Sequence, residues 1–84
     1  MEYSFSKHAL RELQNLQIDT QKRILKKVIF FVAQKDPMVF AKPIKGGNDI
    51  YRFRVGEGRI IFELLSEEVE IFILRVGLRK DIYL

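Results

Sequence analysis

Two runs of alternating apolar and polar residues flank a glycine turn between residues 50 and 65, in the stretch IYRFRVGEGRIIFELL. Alternation with a period of two, bounded by glycines, predicts two antiparallel β-strands joined by a tight turn. If Gly56 and Glu57 form a two-residue type II′ turn, in which glycine supplies the positive φ, Arg54 lies opposite Arg59. A loop with an odd residue count would instead move Arg59 to the aromatic face, because a one-residue slip exchanges the faces of a strand.

This pairing sorts the side chains of the hairpin onto two faces, since successive residues of a strand point to opposite sides. The apolar face collects Tyr51, Phe53, Val55, Ile60, Phe62 and Leu64. The other face collects Arg52, Arg54 and Arg59, with Ile61 and Glu63 beside them. Register alone therefore predicts three guanidinium groups on one surface of the sheet.

The bulk properties limit the class of protein. A chain of 84 residues is expected to form a single domain, spanning residues 1–84. The absence of cysteine excludes a disulfide framework and a thiolate metal site, and it agrees with a reducing cytoplasm. The longest uncharged apolar run, Val28 to Ala33, is far shorter than the roughly 18 residues that span a bilayer, so no membrane contact is expected. The net charge of +4 favours acidic partners, nucleic acid among them.

The residues before the hairpin predict a short strand and two helices. Glu2–Phe5 alternates as a strand does, and Ser6 can cap a helix from Lys7 to about Leu16. Asp19 or Thr20 can cap a second helix that runs to about Gln34. Apolar residues at helical spacing form its expected buried face: Leu25, Val28, Ile29 and Val32. The short link between the helices predicts that they pack as an antiparallel hairpin.

The remaining segments complete an α+β domain. Asp36 and Pro37 end the second helix and are expected to start one extra turn, with Asp36 as its cap. A last strand, Val69 to Val76, is apolar on both faces and is expected to end at Gly77. The order is thus a short N-terminal strand, a helical hairpin and a three-stranded antiparallel sheet, with the helices on one sheet face. The helices should cover the aromatic face and leave the arginine face open.

The open face predicts affinity for phosphate. Guanidinium groups match phosphate oxygens bidentately and stay charged at physiological pH, and nucleic-acid binding of this kind weakens steeply with salt. Arg79 and Lys80, just past the last strand, can extend the basic surface, whereas a solvated strand face that discourages edge pairing is the alternative. Tyr83 can supply a phenol for proton transfer or a ring that stacks on a base, or it can simply pack on the sheet. No metal-ligand constellation and no phosphate-cradling loop is visible, so no metal and no cofactor is expected.

The hairpin and the last strand together resemble the RelE/ParE superfamily of bacterial and archaeal toxin–antitoxin toxins. The resemblance covers nearly the whole chain and is most specific in YRFRVGEGRIIFEL followed by VEIFILRVGLRKDIY. It implies a cytoplasmic toxin that an antitoxin holds silent with an acidic helical segment. In the RelE branch it implies a free toxin that enters the ribosomal A site and cuts mRNA. Matched residue by residue, it implies a catalytic set of Arg54, Arg59, Arg79 and Tyr83 and an RNA-binding set of Arg52, Lys45 and Lys80.

The implied reaction is attack of the ribose 2′-OH on its own phosphate, which leaves a 2′,3′-cyclic phosphate. Arginines suit it because they can hold the scissile phosphate and stabilise the charge that develops on its oxygens. Leu78 stands where relatives often have a histidine, so an imidazole acid or base is absent there. Arginine does not readily become a neutral base, which leaves Tyr83, Lys80 and Glu57 as candidates for the general base.

Two other functions remain compatible with the same resemblance. The ParE branch shares the fold and poisons DNA gyrase without hydrolysing nucleic acid, and it does not depend on the arginine–tyrosine set. A homologue that has lost toxicity and keeps only antitoxin binding is the other alternative. Because this chain retains the arginines and the tyrosine, the sequence favours the ribonuclease.

Overall fold

Five strands form one sheet in the part of the chain that the computed structural model describes, which comprises residues 1–44, 46, 48–65 and 70–78. In chain order the elements are β1 (Glu2–Phe5), α1 (Lys7–Gln14), α2 (Ile18–Val32), a 3-10 turn (Pro37–Phe40), β2 (Lys42–Pro43), β3 (Ile50–Val55), β4 (Gly58–Leu65) and β5 (Glu70–Leu78). The sheet order is β1-β5-β4-β3-β2, and both helices contribute to a core on one of its faces. The expected α+β class is confirmed.

The sheet is wider than the three strands expected from local pattern. β1, which was expected as a separate short strand, pairs in parallel with β5, from Glu2 opposite Glu70 to Phe5 opposite Ile73. β2, which the sequence did not predict as a strand, pairs antiparallel with β3. Neither pairing has a local signal, because the partner of β1 is distant in sequence and a two-residue strand has no periodicity.

Capping chemistry locates the start of α1 but not that of α2. The Ser6 hydroxyl accepts a hydrogen bond from the third backbone N–H after it, at 3.0 Å, as predicted. α2 begins at Ile18 after Gln17, which makes no side-chain capping bond, and Asp19 lies in its first turn, where a negative charge favours the helix dipole. Asp36 caps the 3-10 turn as expected. Neither helix is long and apolar enough to cross a membrane.

The core confirms the apolar face of the hairpin and corrects the face of α2. Phe53 and Phe62 are fully buried with ring centroids 4.5 Å apart, and Phe31 of α2 stacks on Phe53 at the same distance. Ile29, expected inside, is 53% exposed, while Ile24 is buried in its place. The prediction for Ile29 was wrong because apolar residues occupy every position from 28 to 33, so the periodicity there does not show which side of the helix is buried.

The β3–β4 hairpin has the predicted register. Val55 lies opposite Gly58 and Arg54 opposite Arg59, so the loop contains two residues. Gly56 has φ 58°, and Asp49 is the one non-glycine residue with positive φ in the described ranges, so Glu57 does not share that conformation. These values fit the type II′ turn expected from the sequence.

β5 departs from the prediction at its far end. It continues through Gly77 to Leu78 instead of ending at Gly77, because the backbone there stays paired with β4. The register shifts by one residue between Phe62, opposite Ile73, and Ile61, opposite Arg75. The strand therefore carries a β-bulge, with one extra residue between these two partners.

Candidate nucleic-acid interface

The hairpin register brings Arg54 and Arg59 side by side on the sheet face that points away from the helical core. Residues directly opposite in an antiparallel pair have Cβ atoms roughly 4.5–5.5 Å apart, and like charges placed there repel. Arg52 shares this face two residues earlier on β3, opposite Ile61. We call these three arginines the arginine face. An anion bound beside Arg54 and Arg59 would relieve their mutual repulsion.

The three arginines differ in burial. Arg54 is exposed and Arg52 is half-buried, but Arg59 is only 6% exposed, and its neighbour Ile61 is buried as well. The expectation of an open face therefore holds along β3 and fails along β4. β4 lies inside the sheet, and Ile61 has an arginine opposite it on each side, Arg52 and Arg75, whose methylene stems can cover apolar surface.

The hairpin turn orients the guanidinium of Arg59. Its Nη1 donates to the backbone carbonyl of Gly58 at 3.2 Å and to that of Gly56 at 3.4 Å. The side chain therefore folds back over the turn that sets the register, and its charge sits in a partly desolvated place where electrostatic attraction for an anion is stronger than in water. Arg59 is thus held in position, whereas Arg54 extends into solvent.

Four predicted site residues lie outside the described residues: Lys45, Arg79, Lys80 and Tyr83. The described chain ends at Leu78, which pairs with Gly58, while Gly77 pairs with Arg59. β5 therefore leads directly to the hairpin turn and to Arg59. The roles of the four residues stay predictions.

Glu57, one of the candidate bases, lies near the helices instead of near the arginine face. It lines a cleft of about 360 Å³ together with Thr20 and Arg23 of α2 and residues of the core side of the hairpin. This position disfavours Glu57 as the base for a phosphate bound at Arg54 and Arg59. Within the described ranges, no group of three or more acidic or histidine side chains is arranged to hold a metal ion.

An ion pair that sequence reasoning missed joins α1 to β5. Arg75 Nη2 lies 2.9 Å from Glu12 Oε2, and the Val76 N–H donates to Glu12 Oε1 at 3.0 Å. Burial on its own would raise the pKa of Glu12, but the hydrogen bonds from Arg75 and Val76 and the charges of Arg75 and His8 hold it below its ordinary value of 4.5. No local pattern links two residues 63 positions apart, so the sequence carried no signal for the pair.

Comparison with known proteins agrees with this fold. A family model for the ParE toxin of the type II toxin-antitoxin system parDE matches residues 3–83. The chain is similar to the mRNA interferase toxin RelE of Escherichia coli (strain K12), with 24% identity over 78 residues, which cover 90% of this chain and 80% of the relative.

Solved structures show the same architecture. A chain of the RelB-RelE antitoxin-toxin complex from Methanococcus jannaschii is 30% identical, with a TM-score of 0.74, over 94% of this chain and 93% of the other. A chain of the intact E. coli RelBE toxin-antitoxin complex has a TM-score of 0.75 at 20% identity, covering 92% of this chain and 94% of the other. The second likeness shows the fold alone.

Proposed function

Since the chain belongs to the ParE toxin family of type II toxin–antitoxin systems, within the RelE/ParE superfamily, we propose that it inhibits translation as a ribosome-dependent mRNA endoribonuclease in the cytoplasm. The observation that carries this proposal is the placement of Arg54 directly opposite Arg59 on the sheet face away from the helices. The similarity to a protein named mRNA interferase toxin supports it independently.

The proposed reaction is cleavage by the RNA's own 2′-OH. The bond from the 2′-oxygen to phosphorus forms and the bond from phosphorus to the 5′-oxygen breaks, which gives a 2′,3′-cyclic phosphate and a 5′-OH. A base takes the proton of the 2′-OH, and an acid returns a proton to the leaving oxygen. The protein's main contributions are in-line positioning and stabilisation of the charge on the phosphate oxygens.

The arginines have different roles in this proposal. Arg59, held by the turn carbonyls, stabilises the scissile phosphate, because a preorganised cation costs little reorganisation during the reaction. Arg54 and Arg52 lie two residues apart on one face, roughly 7 Å along the strand, so they can hold different phosphates of one RNA strand. Arg79 is proposed as a further phosphate ligand, with Lys45 and Lys80 binding the flanking RNA.

We assign proton transfer to Tyr83, since arginines cannot serve as the base, Glu57 lies toward the helices, and Lys80 is proposed to bind the flanking RNA. A phenol with an ordinary pKa near 10 is a weak base at neutral pH, so the rate should rise with pH as the phenol ionises. This expectation also predicts slow cutting at neutral pH.

Purified protein added to programmed ribosomes tests the proposal. Mapping the 5′ ends of the mRNA should reveal new cuts, and the upstream fragments should end in a 2′,3′-cyclic phosphate. Arg59→Ala and Arg54→Ala should each slow cutting by about a hundredfold or more, the scale of losing one charge-stabilising donor. Arg11→Ala, which removes an exposed arginine from α1, is the charge-matched control. Unchanged cutting by both site variants would contradict the proposal.

Inhibition of DNA gyrase is the second candidate function, and the ParE description of the matching family model favours it. Gyrase-dependent cleavage of plasmid DNA by the same protein, without any new mRNA ends, would establish this function instead. If the protein has neither activity but binds its antitoxin tightly, it is a non-toxic antitoxin-binding homologue.

An antitoxin is the proposed partner, as in the RelB-RelE complex that the fold resembles. Ile18 and Ile29 of α2 are 62% and 53% exposed, and Leu25 between them is only partly buried. Lys22 and Lys26 lie along the same stripe, and these five residues form what we call the α2 stripe. An exposed apolar strip edged by lysines is complementary to an acidic amphipathic helix, so we propose that the antitoxin docks there.

A further inference from the structure

The carboxylate of Glu12 connects α1 to the far half of β5. It accepts hydrogen bonds from Arg75 Nε at 3.2 Å, from Arg75 Nη2 at 2.9 Å and from the Val76 backbone N–H at 3.0 Å. Beyond Ile73, where β1 ends, this edge of β5 is met by α1 instead of by a strand. Glu12 thus accepts the hydrogen bond of the Val76 backbone N–H, which a neighbouring strand would otherwise have to accept.

The contacts of Glu12 belong to a set that holds the β-bulge of β5. The extra residue is Leu74, between the partners of Phe62 and Ile61. At the start of α1, Ser6 donates through its backbone N–H to the Ile73 carbonyl at 2.8 Å and through its hydroxyl to the Leu74 carbonyl at 3.2 Å. The bulge is therefore bonded to α1 on both sides, by Ser6 before it and by Glu12 after it.

The bulge decides which residue faces Arg59. With the extra residue, Gly77 lies opposite Arg59, and Val76 lies opposite Ile60 in the core. Without it, the register would place Val76 opposite Arg59 and Arg75 opposite Ile60, which would bury a charge in the core and set a branched side chain beside the site guanidinium. A glycine across the strand leaves room above β5 for the Arg59 side chain and for a phosphate next to it.

We propose that Glu12 is a positioning residue for the arginine face. Through Arg75 and Val76 it holds the bulged register that keeps Gly77 opposite Arg59, and so it orients Arg59 without touching the RNA. The consequence for cleavage rests on the proposed function. The consequence for the geometry of Arg59 does not depend on that function, and it can be measured without RNA.

The first test uses the unbound protein. Glu12→Ala removes both contacts, whereas Glu12→Gln keeps a side-chain oxygen that can accept from Val76. Asp36→Ala is the matched control, because it also removes a carboxylate that accepts a backbone N–H, from Met38 at 3.1 Å, at a site far from β5 in the chain. We expect faster amide hydrogen exchange at Val76 and Gly77 and a shifted Arg59 Nε–H resonance in Glu12→Ala, near wild-type behaviour in Glu12→Gln, and no change at these positions in Asp36→Ala.

The second test measures steady-state cleavage of mRNA on programmed ribosomes at a temperature where every variant is folded. Glu12→Ala should lower kcat by about tenfold to a hundredfold with little change in KM, because a small misplacement of a charge-stabilising group affects the transition state most. Glu12→Gln should recover most of that loss. Asp36→Ala should cut like wild type once the folded fraction is equal.

Two outcomes would overturn the proposal. One is an unchanged exchange rate and an unchanged Arg59 resonance in Glu12→Ala. The other is a loss of cleavage that is no larger than in Asp36→Ala, or that falls on KM alone. If the wild-type protein cuts no mRNA, the proposed function fails, and the exchange and resonance measurements still decide whether Glu12 positions Arg59.

Discussion

At the scale of single residues, Arg54 and Arg59 form a like-charged cross-strand pair that lowers the stability of the unbound protein. The two residues pair directly across β3 and β4, and Arg59 is buried against the turn carbonyls while Arg54 reaches solvent. Like charges in this arrangement destabilise a sheet. Phosphate bound beside the two residues, as the proposed function requires, would reduce this repulsion.

Replacing the exposed member of this pair should therefore stabilise the unbound protein. We expect Arg54→Thr to raise the free energy of unfolding by about 0.2–1 kcal/mol, the range for a cross-strand pair, and to weaken RNA binding. Urea unfolding at low and high salt measures the gain, which should shrink as salt screens the charges. Arg54→Lys is the control, since it keeps a positive charge opposite Arg59. An equal gain from both variants would mean that repulsion from Arg59 is not the cause.

Glu12 should make stability depend on pH in the acidic range. Because its pKa is below the ordinary value of 4.5 in the folded protein, its contribution is fully present above that value. The contribution is lost as pH falls through the lowered pKa, when the carboxyl must be protonated against Arg75 and His8. Urea unfolding of the wild type between about pH 3 and pH 7 should show this loss. Glu12→Gln, which does not titrate, should show a flatter profile, and parallel profiles would contradict the assignment.

At the scale of elements, the β3–β4 turn controls the arginine face. Gly56 at φ 58° allows a loop of two residues, and that loop length sets Arg54 against Arg59. A side chain on Gly56 would meet no steric obstacle, since the nearest atom is Arg23 Nη1 at 3.8 Å. The backbone conformation, and not the space around it, is what requires glycine there.

Gly56→Ala should accordingly destabilise the protein through backbone strain, by about 1–3 kcal/mol. Thermal or urea unfolding measures the change, and nuclear Overhauser contacts between β3 and β4 report whether the register survives. Glu57→Ala, at the other turn position, does not need a positive φ and should change stability by less than about 0.5 kcal/mol. Equal effects at the two positions would show that the strain is not located at Gly56.

At the scale of the whole molecule, the two proposed partners bind opposite sides. The arginine face lies on the sheet surface away from the core, and the α2 stripe lies on the outer surface of a helix that packs on the other side. Both surfaces are basic, in keeping with the net charge of +4. Antitoxin binding and RNA cutting should therefore respond to different substitutions.

Reversing the charge of the α2 stripe tests this separation. Lys22→Glu with Lys26→Glu should weaken binding of the proposed acidic antitoxin by about tenfold at low salt, mainly through slower association. Cleavage of mRNA on ribosomes should stay within about twofold of wild type, because an exposed helix face distant from the chemistry contributes little to it. Lys7→Glu with Lys35→Glu carries the same change in net charge at exposed positions outside the stripe. Isothermal titration calorimetry gives the affinities, and equal losses in the two double variants would exclude the α2 stripe as the docking surface.

Local periodicity and the length of the hairpin turn determine the arginine face from the sequence alone. The alternation in β3 and β4 and the two-residue turn at Gly56 settle which side chains share a face, because pleat and turn geometry act within a few residues. The caps at Ser6 and Asp36 were predictable for the same reason. The tertiary structure alone decided the parallel pairing of β1 with β5, the rotation of α2 that exposes Ile29, the bulge held by Glu12 and the burial of Arg59. These depend on which distant surfaces fit together, and contacts between residues far apart in the chain leave no periodic trace in the sequence.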